Sequence, residues 1–395
     1  MPTTVEFFPV DCGDMTLLKF GDPYATTLLV DVNIRAEADD PDGGKRDVAK
    51  DLRERIKTDS NGRPYVDAFL LSHPDEDHCR GIAKHFHLGA LRDYPDDKKP
   101  LAEKKIVIRE MWSSAIVFRR ASKNHVLCDD AIAWSTEARR RVKVNRAQGF
   151  AVSDGDRIQI MGKDVDGKTD DLGPILRLVD QQFSTINGKH SAYFSAFMLG
   201  PLEPKNDDEE EECLAKNQSS VILNFTLAAD LSNLQAANFL TAGDAEVFIW
   251  GALWTRYKTN SAVLEYDLLQ APHHCSWHCL SYDSWSDFGE DATVEPDARS
   301  ALSQARSGAV IVSSSKPIRD DDSDPPCVRA KREYEVILDE VGGDFYCTGE
   351  YPDEDAVAPL KFTVTAQGFQ PPSKKVGVTK SAAIISSVRT PLPHG

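Results

Sequence analysis

The chain has 395 residues, more than one average domain but within the size of a single layered α/β enzyme carrying insertions. Its formal net charge of −17 opposes broad electrostatic attraction to nucleic acid, so any polyanionic substrate has to be held locally. No apolar run approaches the roughly 18 residues of a membrane span, residues 1–8 lack the basic start of a secretory signal, and eight scattered cysteines contain no CxxC pair; the expectation is a cytoplasmic protein with free thiols and no membrane partner.

In chain order, residues 5–10 and 15–20 alternate like paired strands joined by the turn-prone 11–14, which holds Gly13 and Asp14. A third apolar run, 27–32, carries Asp31 near its end. Residues 45–57 read as a short amphipathic helix, 61–64 as a turn, and 65–71 as a buried strand. Between Gly89 and Gly149 the sequence turns polar, with a strand expected at 105–108 and a helix at 129–146. Strand pattern returns at 156–161. Residues 206–212, one Asn and six acids, are expected to form a solvated loop. Further strands are expected at 219–227, 238–244, 264–270 and 309–313, and the pattern is lost after Gly368. Apolar strands run repeatedly into ligand-type side chains at one end, as in a layered α/β sheet with reactive groups on its end loops.

The strongest of these ends is 72–81, where His73, Asp75, Asp77 and His78 fall within six positions directly after a strand. Neutral imidazole and carboxylate are ordinary ligands of divalent ions. A polar surface loop with chance histidines would explain that segment taken alone. Two later segments weigh against it: Gly243-Asp244 closes one strand, and His273-His274 follow another. Each is weak by itself, because a strand-terminal Asp is commonly a turn residue and a His pair commonly structural. Their order and context carry the argument.

With these residues in view, the chain resembles the metallo-β-lactamase superfamily, and within it the branch typified by the hydrolase domain of the bacterial DNA-uptake protein ComEC. That branch has His-x-Asp-x-Asp-His, matched here by His73-Pro-Asp75-Glu-Asp77-His78. Gly13-Asp14, Asn217-Gln-Ser-Ser220, Gly243-Asp244 and Pro272-His273-His274-x-Ser276 are similar to its other marks. The resemblance implies an αββα four-layer sandwich over residues 1–370, with insertions at about 89–149 and 174–213 and a C-terminal extension at 371–395. It also implies one metal held by His73 and Asp75, a second by Asp77, His78 and His273, and Asp244 bridging them. His274 is then a substrate-contacting or supporting group, catalytic together with Asp77 and Asp244, while Asp31 and Asp14 orient ligand histidines. The chain departs from the family in three places. The third histidine of the best-known members has no clear equivalent, with Asn217 the positional candidate and His190 a weaker one; Cys275 replaces a glycine; and Pro325-Pro326-Cys327 replaces a His-Pro.

On that reading the position served by His73, Asp75, Asp244 and Asn217 is rich in oxygen and suits Mn2+ or Mg2+, and the other holds Zn2+ or Mn2+. Two ions about 4 Å apart would acidify a water to a hydroxide nucleophile, which fits phosphodiester hydrolysis. A phosphodiesterase or nuclease, in bacterial defence or DNA processing and working beside a protein partner, is therefore the first expectation. Its phosphate contacts would come from the basic helix segment 138–146 and from Arg80. The alternatives are a hydrolase of small esters, lactones or thioesters, and a non-catalytic metal-binding scaffold.

Overall fold

Period-two alternation sets the architecture. In the strand Thr27–Val30, Leu28 and Val30 join one apolar cluster while Leu29 joins another, and Leu268 and Leu269 of Tyr266–Gln270 part in the same way. A strand patterned like this is buried on both faces. The computed structural model describes residues 1–39, 44–205 and 211–372, and it is a mixed α/β structure with two large sheets.

The main path of the eleven-stranded sheet runs from Gly368–Gln370 through Leu360–Thr365, Thr4–Phe7, Thr16–Lys19, Thr27–Val30, Pro64–Leu70, Ile106–Ser113 and Arg157–Met161 to Leu176–Arg177, with the short strands Lys57–Thr58 and Phe86–His87 paired off it to Pro64–Leu70 and Ile106–Ser113. It is antiparallel up to Thr27–Val30 and parallel from there to its far edge. The seven-stranded sheet changes in the same way, becoming parallel from Ala237–Thr241 onward through Tyr266–Gln270 and Ala305–Ser313. Leu28, Val30, Ala68 and Leu70 of the first sheet share a cluster with Leu223, Phe225, Phe239 and Val310 of the second. Phe7 meets Phe239 edge to face at 5.9 Å between ring centroids. The outer faces are covered by helices: Trp134 of Asp129–Ala147 and Leu52 of Val48–Arg55 on one side, and Trp250 of Val247–Tyr257 and Tyr334 of Val328–Asp339 on the other. Each fully buried side chain of this size contributes about 1.5–3 kcal/mol relative to exposure.

The stretch expected as an insertion at about 89–149 supplies the strand Ile106–Ser113 and the helix Asp129–Ala147, both inside the layered core. Of the acidic run 206–212, residues 206–210 lie outside the described residues, as do 373–395 of the expected C-terminal extension. Glu211 is not a free solvated acid. It receives hydrogen bonds from Arg119 at 2.8 Å and from the buried Arg120 at 2.9 Å. No helix among the described residues is long and apolar enough to cross a membrane.

Parallel strands bring like ends together, so Asp31, Ser72-His73, Gly243-Asp244 and His273 emerge at one edge after Val30, Leu70, Thr241 and Gln270. The pairing of Thr16 with Val30 places the Gly13-Asp14 turn at that same edge.

Candidate metal centre

The cluster is organised around Asp244. Gly243, at φ +50°, turns the chain there, and a Cβ on it would lie 2.7 Å from Ser72 Oγ. The Asp244 amide donates to Ser220 Oγ, which itself donates to the Asn217 carbonyl, so the Asn217–Ser220 element holds the loop. The side chain lies among four imidazoles. Oδ2 lies 3.5 Å from His73 Nε2 and 3.6 Å from His273 Nε2. Oδ1 lies 3.0 Å from His78 Nε2 and 3.5 Å from His274 Nε2, and neither is aimed at it as a well-formed donor, so Oδ1 accepts no hydrogen bond.

Every Nδ1 on the far side of these rings is backed by an oxygen. Asp31 lies 2.9 Å from His78 Nδ1 and is fixed by the Ser72 amide at 2.7 Å and the Ser72 hydroxyl at 2.5 Å. Ser72 Oγ lies 3.0 Å from His73 Nδ1. Glu246 stands 3.4 Å from His273 Nδ1, and Asp14 stands 3.4 Å from His274 Nδ1. For His78 and His73 the hydrogen-bonded acceptor behind Nδ1 keeps the proton there and leaves Nε2 with a free lone pair, whereas His273 Nδ1 and His274 Nδ1 make no hydrogen bond at their distances and His274 Nε2 bonds Asp77. The Nε2 atoms of all four rings converge on one carboxylate.

The remaining carboxylates divide the cluster. Asp75 Oδ2 is 4.0 Å from His73 Nε2, and Asp77 Oδ2 is 3.2 Å from His274 Nε2. One group therefore comprises His73, Asp75, His273 and Asp244 Oδ2, and the other Asp77, His78, His274 and Asp244 Oδ1. This differs from the sequence expectation, which put His273 with Asp77 and His78. His274 occupies that place instead. Each group now has two imidazoles and two carboxylates, which removes the expected contrast between an oxygen-rich position and a histidine-rich one.

The residues fit a metal. Donors at 2.0–2.1 Å from a tetrahedral ion lie about 3.3–3.4 Å from one another, and in the second group His78 Nε2 and His274 Nε2 are 3.3 Å apart. Asp14, His78, Asp244 and His274 are all buried and offer ligand atoms within 4.8 Å of one another. Buried polar atoms without hydrogen bonds include His73 Nε2, Asp244 Oδ1 and Asp14 Oδ1, which normally signals an absent partner. Among the described residues no lysine or arginine is ion-paired with Asp14, Asp31, Asp77 or Asp244, so nothing basic except imidazole balances these charges.

Burial opposes charge on His78 and His274, yet Asp244, with Asp77 and Asp14, outweighs it and holds both imidazoles well above their ordinary range. Burial likewise disfavours a charged Asp244, and the surrounding histidines reverse this and hold it well below the carboxylate range. Two imidazolium Nε2 protons could not share a 3.3 Å gap comfortably. One divalent ion would answer the same carboxylates without that clash.

Solvent reaches the cluster along Asp75, Asp77 and His273, whose side chains are 27, 35 and 16% exposed, while His73, His78, Asp244 and His274 are at 3% or less. Asn217 stands against Glu246, the carboxylate behind His273. Its amide donates to Glu246 at 3.0 Å, beside Gln218 at 2.7 Å, and its own buried Oδ1 has no hydrogen-bond partner. Glu246 was missed in the sequence, where the only signal is its place two residues after Asp244. His190 is exposed on a small hairpin, bonded to Ser184. Arg80 bonds Glu76. Part of the basic helix is committed inside the fold, where Arg140 and Arg141 bind Glu137 and Arg141 is buried, while Arg139 and Lys143 are exposed and Arg146 pairs with Asp171 at the surface.

No family model matches the chain, and no curated protein matches it. A solved structure of a protein of unknown function from Enterococcus faecalis is similar at 10% identity, over 88% of this chain and 77% of that one, with a TM-score of 0.28, which carries no argument about fold or function.

Proposed function

We propose that the protein is a metal-dependent hydrolase on the four-layer metallo-β-lactamase sandwich, with phosphodiesters as its first substrate class. The division of Asp244 carries this reading: each of its oxygens faces a separate pair of histidines and a separate carboxylate, a donor set suited to two neighbouring ions. Divalent ions held there, Zn2+, Mn2+ or Mg2+, would supply Lewis acidity and make water acidic enough to ionise near neutral pH. The chain's own part is positional. Asp31 and Ser72 fix the His78 and His73 tautomers, Asp14 and Glu246 stand behind His274 and His273, and the buried histidines keep water from the rear of the cluster. Asp75 and Asp77 face the entrance, where substrate arrives. We assign His274 to holding an ion rather than to contacting substrate.

One observation favours a second reading. The entrance carries Asp75, Asp77 and, beside His273, Glu246, and the helix expected to grip phosphates spends Arg140 and Arg141 on the buried Glu137. An acidic entrance suits an uncharged ester, lactone or thioester. Metal content of the purified protein, followed by turnover of bis-(p-nitrophenyl) phosphate, DNA, RNA and a lactone panel in added Mn2+, separates the readings. Phosphodiester cleavage abolished by Asp244→Asn is the expected result. Turnover confined to lactones supports the second reading. An empty centre with no activity in added metal leaves only a scaffold.

A further inference from the structure

Directly behind the candidate ligands stands a pair of thiols. Cys79 follows His78 on the turn Glu76–Cys79, and its sulfur lies 3.4 Å from that of Cys128, the N-cap of the helix Asp129–Ala147. The Cys79 sulfur also lies 3.2 Å from the Asp75 carbonyl oxygen. Asp130, on the first turn of the same helix, accepts from the Gly81 and Ala83 amides at 2.9 and 2.7 Å, so the helix start and the ligand loop are fastened together. Of the remaining cysteines, Cys275, Cys279, Cys327 and Cys347 are buried, Cys213 is exposed, and Cys12 is half-buried with its sulfur 3.7 Å from the Pro325 carbonyl.

We infer that Cys79 and Cys128 are an oxidant-modified dithiol, which a hydroperoxide converts to a reversible disulfide that shifts the ligand loop. Cys128 is the attacking partner, because it is partly exposed and its sulfur accepts the Ala131 amide at the positive end of a 19-residue helix. The hydrogen bond from Cys79 and the helix amides, acting against burial, bring the Cys128 thiol down to about 7. The Cys128 thiolate attacks one peroxide oxygen, the O–O bond breaks, and the alcohol or water leaves with a proton, giving a sulfenic acid. Cys79 sulfur then attacks the sulfenic sulfur and releases its proton; hydroxide departs and leaves with that proton as water. Two thiols are oxidised and one peroxide is reduced. A disulfide is about 2.05 Å long, so closing the 3.4 Å gap draws the sulfurs about 1.3 Å together. Because Cys79 is the next residue after His78, the movement reaches the group with Asp77, His274 and Asp244.

The bond itself does not depend on the proposed hydrolase, but its effect on metal affinity rests on that reading. The test treats the full chain with one to a few equivalents of hydrogen peroxide, digests it without reductant and maps the peptides by mass spectrometry. The expected result is a Cys79–Cys128 linked pair, about 2 Da lighter than the two reduced peptides together, reversed by dithiothreitol and absent in Cys128→Ser. Serine is a favoured N-cap, so that variant keeps its fold. In Cys79→Ala, dimedone should trap the Cys128 sulfenic acid. Cys128 found as sulfinate, linked to another cysteine, or still reduced overturns the proposal. Mn2+ titration of the linked and reduced forms reads the coupling: at least a tenfold loss of affinity is expected, and equal affinities overturn the coupling. Absence of Mn2+ binding in both forms, with the link present, refutes the metal-centre reading instead.

Discussion

Asp31→Asn tests the tautomer argument with little change in shape. Asparagine tolerates the left-handed backbone found here, φ +53°, so the substitution changes hydrogen-bond chemistry and leaves the strand end in place. Asp31 Oδ1 accepts the Ser72 amide, and Oδ2 accepts the Ser72 hydroxyl and faces His78 Nδ1. If the new amide nitrogen takes the Oδ2 place, His78 Nδ1 must become an acceptor, its proton moves to Nε2, and that nitrogen can no longer bind an ion. If the amide flips, its nitrogen meets the Ser72 N–H, and a buried unsatisfied donor costs about 1–3 kcal/mol. The loss of such a supporting carboxylate costs about 10–100-fold in metal affinity, or about 1.4–2.8 kcal/mol. Mn2+ and Zn2+ titration calorimetry on chelator-stripped protein, with circular dichroism as the fold control, measures it. A folded Asp31→Asn protein with wild-type affinity at both positions would refute the claim that Asp31 sets the ligand tautomer.

Two further outcomes follow from the grouping. His274→Ala and His273→Ala should each lose one equivalent of bound metal, with Asp77→Ala losing the same ion as His274→Ala, and Asp75→Ala the same as His273→Ala; stoichiometry and competition between paired variants check this, and the reverse pairing would contradict the geometry. Glu137→Ala should destabilise the fold by about 3 kcal/mol in denaturant unfolding, since it strands the buried Arg141, whose remaining partners are the Ile108 and Arg157 carbonyls. Burial works against a charged Glu137, yet Arg140 and Arg141 outweigh it and lower its pKa. The stabilisation is therefore full above the ordinary glutamate range and is lost as pH falls through the depressed folded value. An unchanged acid limb in Glu137→Ala would contradict that sign.

The sequence displays donors that are close along the chain. His73, Asp75, Asp77 and His78 are legible because one loop carries them, and Asp244 and the His pair because parallel strands deliver their ends to one edge. What pairs with what is not legible. Whether His273 or His274 turns toward Asp77 depends on backbone torsions that no residue pattern records. The basic segment 138–146 resembles a phosphate grip only while Glu137 and Asp156, which bind Arg140 in the fold, go unrecognised as its partners. The helix Val247–Tyr257 escaped notice because it is apolar on most of its circumference and has little of the one-sided pattern that marks a surface helix.

Strain provides a further argument for a site. Asp31, His273, His274 and Cys275 are non-glycine residues at φ +53°, +48°, +53° and +69°. Three of these are consecutive. A left-handed conformation costs most L-residues about 1–2 kcal/mol, with Asp the more tolerant, so the three consecutive residues together oppose folding by up to about 3–6 kcal/mol, a large share of the net stability of a typical domain. A histidine pair serving only to fill space would be relieved by glycine at Cys275 or by a shift of the loop. This loop is instead held by the His273 amide bonding the Gly243 carbonyl at 3.0 Å and the Cys327 amide bonding the Cys275 carbonyl at 3.0 Å. The restraint sets His273 Nε2 and His274 Nε2 against opposite oxygens of Asp244. Strain retained where it aims two imidazole nitrogens at a shared carboxylate is what a preorganised ion site requires. Cys275→Gly should therefore raise the unfolding midpoint, and if the aim of the pair depends on the strained loop, it should also weaken metal binding.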